Sequence, residues 1–404
     1  MNVDVKWKYI KLGLVCKTGA GGTPLKSKKE YYANANIPWL LSGEVNNRNI
    51  TESKNFISKL GLENSSARIF PKNSVLIAMY GATAGQVGIL RFEAASNQAV
   101  CAIYPNDTFI SEFLYYFFLN EKERLIAKAV GNAQPNISQV KIKDTEVPII
   151  PIEEQQTIVA KLDQAFAAID QAKANIEKNI TNAKELFQSK LNQIFAKNTL
   201  STLSENNEGW EIKTLGELGK VSMCKRILKN QTLPKGEIPF YKIGTFGKEP
   251  DAYISKEIFE EYSTKYSYPK KGQILLSASG TIGRTVIFDG KPSFFQDSNI
   301  VWIDNNEDKV LNDFLYQFYK VCDWNPSKGA TISRLYNDDL RRIKISFPNI
   351  EEQKRLIPQI EKLQEQTNLL VTKYHQKLAN LEELKKSILE KAFKGELTTQ
   401  KIEV

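Results

Sequence analysis

Few side chains in this sequence are of the types that carry out catalysis. The only histidine is His375, which excludes histidine-dependent hydrolases and most transition-metal sites. The four cysteines lie far apart and form no Cys-x-x-Cys pair. A zinc site or a disulfide framework is therefore not expected, and isolated buried thiols are the better interpretation. These cysteines are Cys16, Cys101, Cys224 and Cys322.

Two further motifs look catalytic but lack the residues that the chemistry needs. Residues 81–86 (GATAGQ) resemble a phosphate loop, but the Gly-Lys-Ser/Thr of a nucleotide-binding loop does not follow. The acidic pair at 153–154 recurs at 351–352, each time at the start of a predicted helix, where carboxylates complement the helix dipole. We therefore predict no catalytic and no metal-binding residues in this chain.

Polar residues suited to contacting DNA cluster in the loops of two blocks. Asn and Gln amides match an adenine edge, Arg and Lys match a guanine edge, and Ser or Thr can reach phosphate or base. Any one of them could equally be a turn residue that bonds its own backbone, so the hypothesis depends on the whole set. The candidates of the first block are Lys17, Thr18, Gly22, Thr23, Ser42, Asn46, Arg48, Thr83, Gln98, Asn132 and Gln134. Those of the second are Lys225, Arg226, Lys242, Thr245, Ser279, Thr281, Arg284, Gln296, Lys328, Thr331 and Arg334.

Length and composition indicate a folded protein of more than one domain. The chain has 404 residues, of which 42% are apolar and 10% aromatic, and domains usually contain roughly 100–200 residues. Its formal net charge of +9 suits a phosphate-bearing partner without establishing one. No apolar run approaches the ~18 residues of a membrane span, and no signal peptide is visible. We expect a cytoplasmic protein with no membrane partner.

The most informative feature is an internal repeat of about two hundred residues. The tripeptide at 37–39 (IPW) returns at 238–240 (IPF), and residues 152–155 (IEEQ) return unchanged at 350–353. The same offset of 198 residues relates Phe195 to Phe393. The chain is therefore two copies of one unit, each a mixed block followed by a long helix.

The elements that must position the polar loops follow from hydrophobic periodicity. Short β-branched and aromatic runs between Gly, Asn and Pro turns predict mixed α/β blocks, with one clear helix each at about 110–129 and 310–321. Apolar residues spaced three and four apart predict two long helices whose apolar stripes include Leu186 and Leu384. Some forty residues give each helix a length of roughly 60 Å. Because each apolar stripe needs a cover, we expect an antiparallel coiled coil related by a pseudo-two-fold axis.

These patterns predict five segments along the chain. They are the first block at 1–151, the first long helix at 152–198, a linker at 199–208, the second block at 209–349 and the second long helix at 350–404.

Over essentially its whole length the sequence resembles the specificity (S) subunit of type I restriction-modification systems. The motifs that carry the resemblance are 21–24 (GGTP), 37–40 (IPWL), 42–44 (SGE), 233–240 (LPKGEIPF), 277–284 (SASGTIGR), 296–299 (QDSN), 151–156 (PIEEQQ) and 348–353 (PNIEEQ). The second block departs from the first in having Lys225 and Arg226 near the place of Gly22, Thr23 and Pro24. The two blocks are therefore expected to read different DNA sequences.

The resemblance implies a fold, a function and a set of partners. By this resemblance, the blocks are expected to be two target-recognition domains, each of which reads half of a split site in double-stranded DNA. The helices are expected to set the spacer between the halves and to dock modification subunits. The subunit itself is non-catalytic. S-adenosylmethionine for adenine methylation belongs to the modification subunits, while ATP and Mg²⁺ belong to restriction subunits where a system has them, so this chain is expected to bind no cofactor.

Two other functions remain open at this point. A compact nuclease or methyltransferase would turn over alone with Mg²⁺ or S-adenosylmethionine, which the missing motifs disfavour. A coiled-coil scaffold whose blocks bind protein would show DNA binding that is absent or insensitive to salt.

Overall fold

The computed structural model of the chain describes residues 7–127, 136–196, 209–324 and 334–397. The chain divides into two compact units, each of which contains one block and part of both long helices. Unit 1 comprises Met1–Ile176 and Gln376–Val404, and unit 2 comprises Glu177–His375. Within the described residues, no helix is long and apolar enough to cross a bilayer. The predicted linker at 199–208 lies outside the described residues.

Unit 1 is built on a five-stranded sheet and a four-stranded sheet, and a helix of 17 residues packs on the larger sheet. Its helices are α1 (Leu12–Val15), α2 (Lys59–Glu63), α3 (Ser111–Ala127), α4 (Gln139–Lys143) and the start of α5 (Ile152–Ala196). Its strands are β1 (Lys8–Lys11), β2 (Thr18–Ala20), β3 (Ile37–Leu40), β4 (Asn49–Ile50), β5 (Phe56–Ile57), β6 (Ile69–Phe70), β7 (Val75–Ala78), β8 (Val87–Leu90), β9 (Ala94–Ser96), β10 (Val100–Ile103) and β11 (Glu146–Ile149). The sheet orders are β2-β10-β7-β8-β4 and β5-β3-β9-β6, with β1 and β11 paired separately.

The central strands of the five-stranded sheet are apolar at every position because both faces of the sheet are covered. Successive side chains of a strand point to opposite faces. Val75 and Ile77 therefore join the core that contains α3, while Leu76 and Ala78 join a second core on the other face. The sheet is thus a rigid layer, and the loops at its edges are held by buried strands.

Unit 2 repeats this plan with a shorter second sheet. Its helices are α6 (Leu215–Leu218), α7 (Lys256–Lys265), α8 (Asn312–Tyr319), α9 (Asn337–Arg342) and the start of α10 (Ile350–Phe393). Its strands are β12 (Trp210–Thr214), β13 (Gly219–Ser222), β14 (Ile238–Tyr241), β15 (Tyr253–Ile254), β16 (Ile274–Ser277), β17 (Thr285–Ile287), β18 (Phe294–Phe295), β19 (Ile300–Asn305) and β20 (Lys344–Pro348). The orders are β13-β19-β16-β17 and β15-β14-β18, with β12 and β20 paired. The predicted mixed blocks with long helices are confirmed, and α3 and α8 lie within the predicted ranges.

In each unit, a segment of α5 packs against a segment of α10, and the two segments run in opposite directions. In unit 1, Asp170 accepts a bond of 3.0 Å from the Nζ of Lys385, and Lys173 pairs with Glu382. Partner numbers fall along one helix as they rise along the other, so the pairing is antiparallel. In unit 2, the same arrangement brings Leu191 into one core with Ile360.

The ends of the long helices also complete the cores of the blocks. Phe393, at the end of α10, lies 5.4 Å (ring centroids) from both Phe113 and Phe117 of α3. Phe195, at the corresponding place in α5, lies 5.0 Å from Phe314 of α8. The core of each block therefore includes residues from the end of a long helix.

The predicted apolar stripe is wrong at its outer positions. Leu186 is 61% exposed and Leu384 is 46% exposed, whereas Phe187 is 8% exposed. Near its end, α5 packs on the block as well as on α10, so its buried face moves from Leu186 to Phe187, Leu191 and Phe195. A heptad pattern alone anticipates only the face toward a partner helix.

A fully buried glutamine ties the start of each long helix to its block. The Nε2 of Gln155 donates to the carbonyls of Thr108 (2.8 Å) and Ile150 (3.0 Å), and its Oε1 accepts from the N–H of Ile110 (3.0 Å). Gln353 makes the equivalent three bonds to Lys309, Pro348 and Leu311. The repeated acidic pairs beside these glutamines lie in the first helical turn, as predicted.

We expect Gln155→Leu to lower the free energy of unfolding by about 2–4 kcal/mol, because it leaves one N–H and two carbonyls without their partner. The measurement is urea unfolding of the full chain followed by circular dichroism. Gln156→Leu is the matched control, since Gln156 is exposed and adjacent, and it should change stability by less than about 0.5 kcal/mol. Equal effects of the two substitutions would contradict the assigned role.

Candidate nucleic-acid interface

In unit 1, polar loops meet at the edge where β7 ends and β10 begins. This surface, the first polar edge, consists of residues 21–23, 79–86, 97–99 and 136–138. The main chain of Met79 joins two of these segments: its N–H donates to Ala99 (2.8 Å) and its carbonyl accepts from Ile137 (2.8 Å). The N–H of Gly22 donates to the carbonyl of Ser96 (2.8 Å), which attaches the segment 21–23 next to the segment 97–99. The edge is held by backbone bonds, so its side chains are left free to vary.

Unit 2 forms a second polar edge in the same way. It consists of residues 223–226, 278–284, 296–299 and 334–336. Ala278 has the role of Met79, because its N–H donates to Asn299 (2.8 Å) and its carbonyl accepts from Leu335 (2.9 Å). The repeat detected in the sequence therefore extends to the main-chain bonds of the candidate interface.

Each edge contains a turn that depends on glycines with positive φ. Gly81 and Gly85 have φ of +68° and +76°, and Gly280 and Gly283 have φ of +67° and +84°. A Cβ on Gly283 would lie 2.3 Å from the Nε1 of Trp324, so that turn is closed by direct contact as well as by backbone conformation. The Gly-rich stretch that resembled a phosphate loop is thus a shaped turn between β7 and β8.

Four of the candidates of the first block lie in the first polar edge. They are Gly22, Thr23, Thr83 and Gln98. The hydroxyl of Thr23 donates to the Oε1 of Gln98. Lys17 and Thr18 lie at the opposite end of β2, where Thr18 accepts from Gln139 (2.8 Å) and the Nζ of Lys17 sits 4.9 Å from the Tyr104 ring centroid.

The other candidates of the first block lie elsewhere or cannot be placed. Ser42 and Asn46 belong to the segment between β3 and β4. Asn132 and Gln134 are outside the described residues. The predicted DNA contacts of these residues remain predictions.

Arg48 is bound within unit 1. Its Nη1 and Nη2 donate to the two carboxylate oxygens of Asp163 on α5, at 2.6 and 2.9 Å, and Tyr116 also donates to Asp163 (2.5 Å). Burial acts to lower the pKa of Arg48, but the bonds to Asp163 outweigh it, so the pKa is raised. Burial and the same carboxylate raise the pKa of Tyr116. Both Nη atoms of Arg48 already have a partner, and its DNA contact stays a prediction.

Most candidates of the second block lie in or beside the second polar edge. Lys225, Arg226, Ser279, Thr281, Arg284, Gln296 and Arg334 belong to the edge itself. Lys242 and Thr245 lie in an adjoining turn, which is attached because the Oε1 of Gln296 accepts from the N–H of Ile243 (2.9 Å). Lys328 and Thr331 are outside the described residues.

Sequence reasoning missed Asp297 as a candidate. Its Oδ2 accepts from the Nε of Arg226 at 3.0 Å, and only 16% of its side chain is exposed. The signal was present, because Asp297 lies beside Gln296 in the motif 296–299. As an acidic residue, however, Asp297 does not fit a criterion that selects groups able to attract DNA.

The thiols are placed as isolated groups. Cys16, Cys101 and Cys224 are buried, as expected, and Cys322 is half-buried. Burial raises the pKa of Cys16 to about 11 and that of Cys224 and Cys322 to about 12. These groups therefore stay protonated near neutral pH, which is unfavourable for a nucleophile.

The family model for the type I restriction modification DNA specificity domain matches the chain twice, at residues 4–182 and 207–380. The chain belongs to this family. A putative type I restriction enzyme specificity subunit, S.HindORF215P of Haemophilus influenzae, is 46% identical over 273 residues, covering 68% of this chain and 69% of the relative. The MjaIX specificity subunit of Methanocaldococcus jannaschii is 25% identical over 370 residues, covering 86% and 84%.

Solved structures support the same fold. One, from work on the assembly and conformational transition of a type I restriction-modification system, has a TM-score of 0.75 at 20% identity and covers 96% of this chain and 98% of that one. The HsdS subunit of Thermoanaerobacter tengcongensis has a TM-score of 0.61 at 19% identity, covering 98% of each. Specificity subunits are the non-catalytic DNA-recognition subunits of these systems, and they assemble with partner subunits.

We expect Gly283→Ala to lower the free energy of unfolding by about 2–5 kcal/mol, since left-handed backbone costs about 1–2 kcal/mol and the contact with Trp324 adds an overpacking cost of about 1–3 kcal/mol. The control is Gly272→Ala, where φ is +88° but no atom lies within 4 Å of the added Cβ. In urea unfolding, that variant should lose only the roughly 1–2 kcal/mol that the left-handed backbone costs. Losses of the same size would show that Trp324 does not close the turn.

We expect a double-mutant cycle of Arg48→Ala and Asp163→Ala to give a coupling energy of about 1–2 kcal/mol, discounted because the two side chains are 31% and 39% exposed. The matched control is the cycle of Lys11 with Asp144, whose side chains are 56% and 55% exposed. Its coupling should be about 0–0.5 kcal/mol. A coupling no larger for Arg48 would mean that the pair does not fasten the 42–48 segment to α5.

Proposed function

We propose that this chain is the DNA specificity subunit of a type I restriction-modification enzyme, in which each recognition domain reads one half of a bipartite site. Recognition domain here means the block of unit 1 or the block of unit 2. The helices α5 and α10 set the spacer between the half-sites and dock the modification subunits.

The observation that carries this proposal is the pair of polar edges. Their frames match bond for bond at Met79 and Ala278, whereas their side chains differ. Thr23 meets Gln98 in the first edge, and Arg226 meets Asp297 at the corresponding place in the second. A common frame with different polar groups is what two readers of unlike half-sites require.

The spacer proposal is supported by the helices themselves. α5 runs from Ile152 to Ala196 and α10 from Ile350 to Phe393 without interruption, and each contributes to the core of both units. Geometry of this kind fixes half-site separation in dimeric DNA readers.

The cofactors are proposed to belong to partner subunits. S-adenosylmethionine is placed on the modification subunits, and ATP and Mg²⁺ on restriction subunits where the system has them. The polar edges supply hydrogen-bond donors and acceptors for double-stranded DNA rather than a site for any of these groups.

The first test is DNA recognition by the full chain assembled with modification subunits. Methylated adenines mapped across a genome should define one bipartite motif, and affinity for that motif should fall steeply as salt rises, since phosphate contacts release counterions. A chain that turns over alone with Mg²⁺ or S-adenosylmethionine would support the enzyme alternative. DNA binding that is absent or insensitive to salt would support the protein-binding scaffold.

The second test shortens both helices by one heptad. Removing residues 173–179 from α5 and 376–382 from α10 deletes Lys173 together with its partner Glu382. Seven residues at 1.5 Å each shorten the helices by roughly 10 Å, so the preferred spacer in the methylated motif should shorten by about three base pairs at 3.4 Å each.

The matched control inserts seven residues at the same two places, which should lengthen the spacer by the same amount. An unchanged spacer in both variants, with methylation retained, would show that the helices do not set the distance.

A further inference from the structure

The second polar edge contains an arginine whose terminal nitrogens bond no residue that the structure describes. The side chain of Arg226 is 68% exposed, and only its Nε is bound, to the Oδ2 of Asp297 at 3.0 Å. Within the described parts of unit 2, its Nη1 and Nη2 have no hydrogen-bond partner. The guanidinium is thus fastened at its inner nitrogen, while its two terminal nitrogens make no bond to Asp297.

Each of the other two arginines of this edge has one terminal nitrogen that is already bonded. The Nη1 of Arg284 donates to the carbonyl of Phe246 at 2.9 Å, and the Nη2 of Arg334 donates to the carbonyl of Ser298 at 3.1 Å. Arg334 therefore supports the same loop that carries Asp297. Of these three, Arg226 alone makes no bond to a described residue through either Nη1 or Nη2.

Asp297 holds this arginine from a rigid position. Its side chain is largely buried, and its neighbour Ser298 has a φ of +59° and a carbonyl fixed by Arg334. An arginine held in this way loses little side-chain entropy when it binds a planar acceptor pair. The O6 and N7 of guanine in the major groove are such a pair, and Arg bonds them in bidentate fashion.

The corresponding pair in the first polar edge is chemically different. Thr23 and Gln98 are neutral, and the Thr23 hydroxyl already donates to the Oε1 of Gln98, so this pair lacks the charged planar fork that bonds guanine O6 and N7 together. Preference for guanine at this place is therefore expected only in the half-site read by unit 2.

We propose that Arg226 reads a guanine in the half-site bound by unit 2, with Asp297 as its positioning residue. This rests on the proposed function, because it requires that the second polar edge faces DNA. Arg226 supplies both donors to the base, and Asp297 acts only through Arg226.

The test compares Arg226→Lys with Lys225→Ala in the full chain assembled with modification subunits. Lysine keeps the charge but lacks the planar fork, so Arg226→Lys should lower the preference for G·C at one position of one half-site by about 5- to 150-fold. Lys225→Ala removes a neighbouring charge whose Nζ lies 4.7 Å from the centroid of the Tyr266 ring. It should weaken binding to all sequences alike and reduce the salt slope by about one unit.

The readout is the methylated motif together with affinities for DNA duplexes that vary at each position. Asp297→Asn should reduce the same preference at the same position, less than Arg226→Lys does. Uniform weakening by Arg226→Lys, with the motif unchanged, would make Arg226 a phosphate contact and overturn the proposal. A wild-type chain with no sequence preference would instead overturn the proposed function, and this inference with it.

Discussion

The structure depends on the packing of helix ends into the cores of the blocks. Phe393 lies against Phe113 and Phe117 in one unit, and Phe195 lies against Phe314 in the other. Burying a phenylalanine side chain contributes about 1.5–3 kcal/mol. The core of the first block thus includes residues from the far end of the chain, and in each unit the long helices cover part of the apolar surface of the block. This constraint explains why the match between Phe195 and Phe393 keeps the same offset as the match between Gln155 and Gln353.

Because the helices fasten the blocks, the polar edges can vary without loss of the fold. The bonds that join their segments run between main-chain atoms, through Met79 in the first edge and Ala278 in the second. Backbone bonds of this kind constrain the loop path but place little demand on the exposed side chains. Under the function proposed above, specificity for a new half-site would arise by substitution at the edge while the strands beneath it stay the same.

The sequence was sufficient to predict the repeat, the mixed blocks and the long helices, since each depends on periodic or repeated patterns. It did not predict the burial of Phe187 in place of Leu186, because that face is determined by contact with a block and not by the heptad. Nor did it distinguish Gln155 from its acidic neighbours, although the glutamine recurs at the same offset. Burial of a polar side chain depends on acceptors brought from distant segments, such as the carbonyl of Thr108.

The same limit applies to the candidate site. Arg48 and Arg226 look alike in sequence, as basic residues in polar loops. Among the residues that the structure describes, however, Arg48 is bound at both terminal nitrogens and Arg226 at neither. The difference depends on where the carboxylate lies. Asp163 accepts from both Nη atoms of Arg48, whereas Asp297 accepts only from the Nε of Arg226. An exposed ion pair adds little to stability. The pairing of Arg226 with Asp297 is therefore better explained by the orientation that it gives the guanidinium than by any contribution to folding.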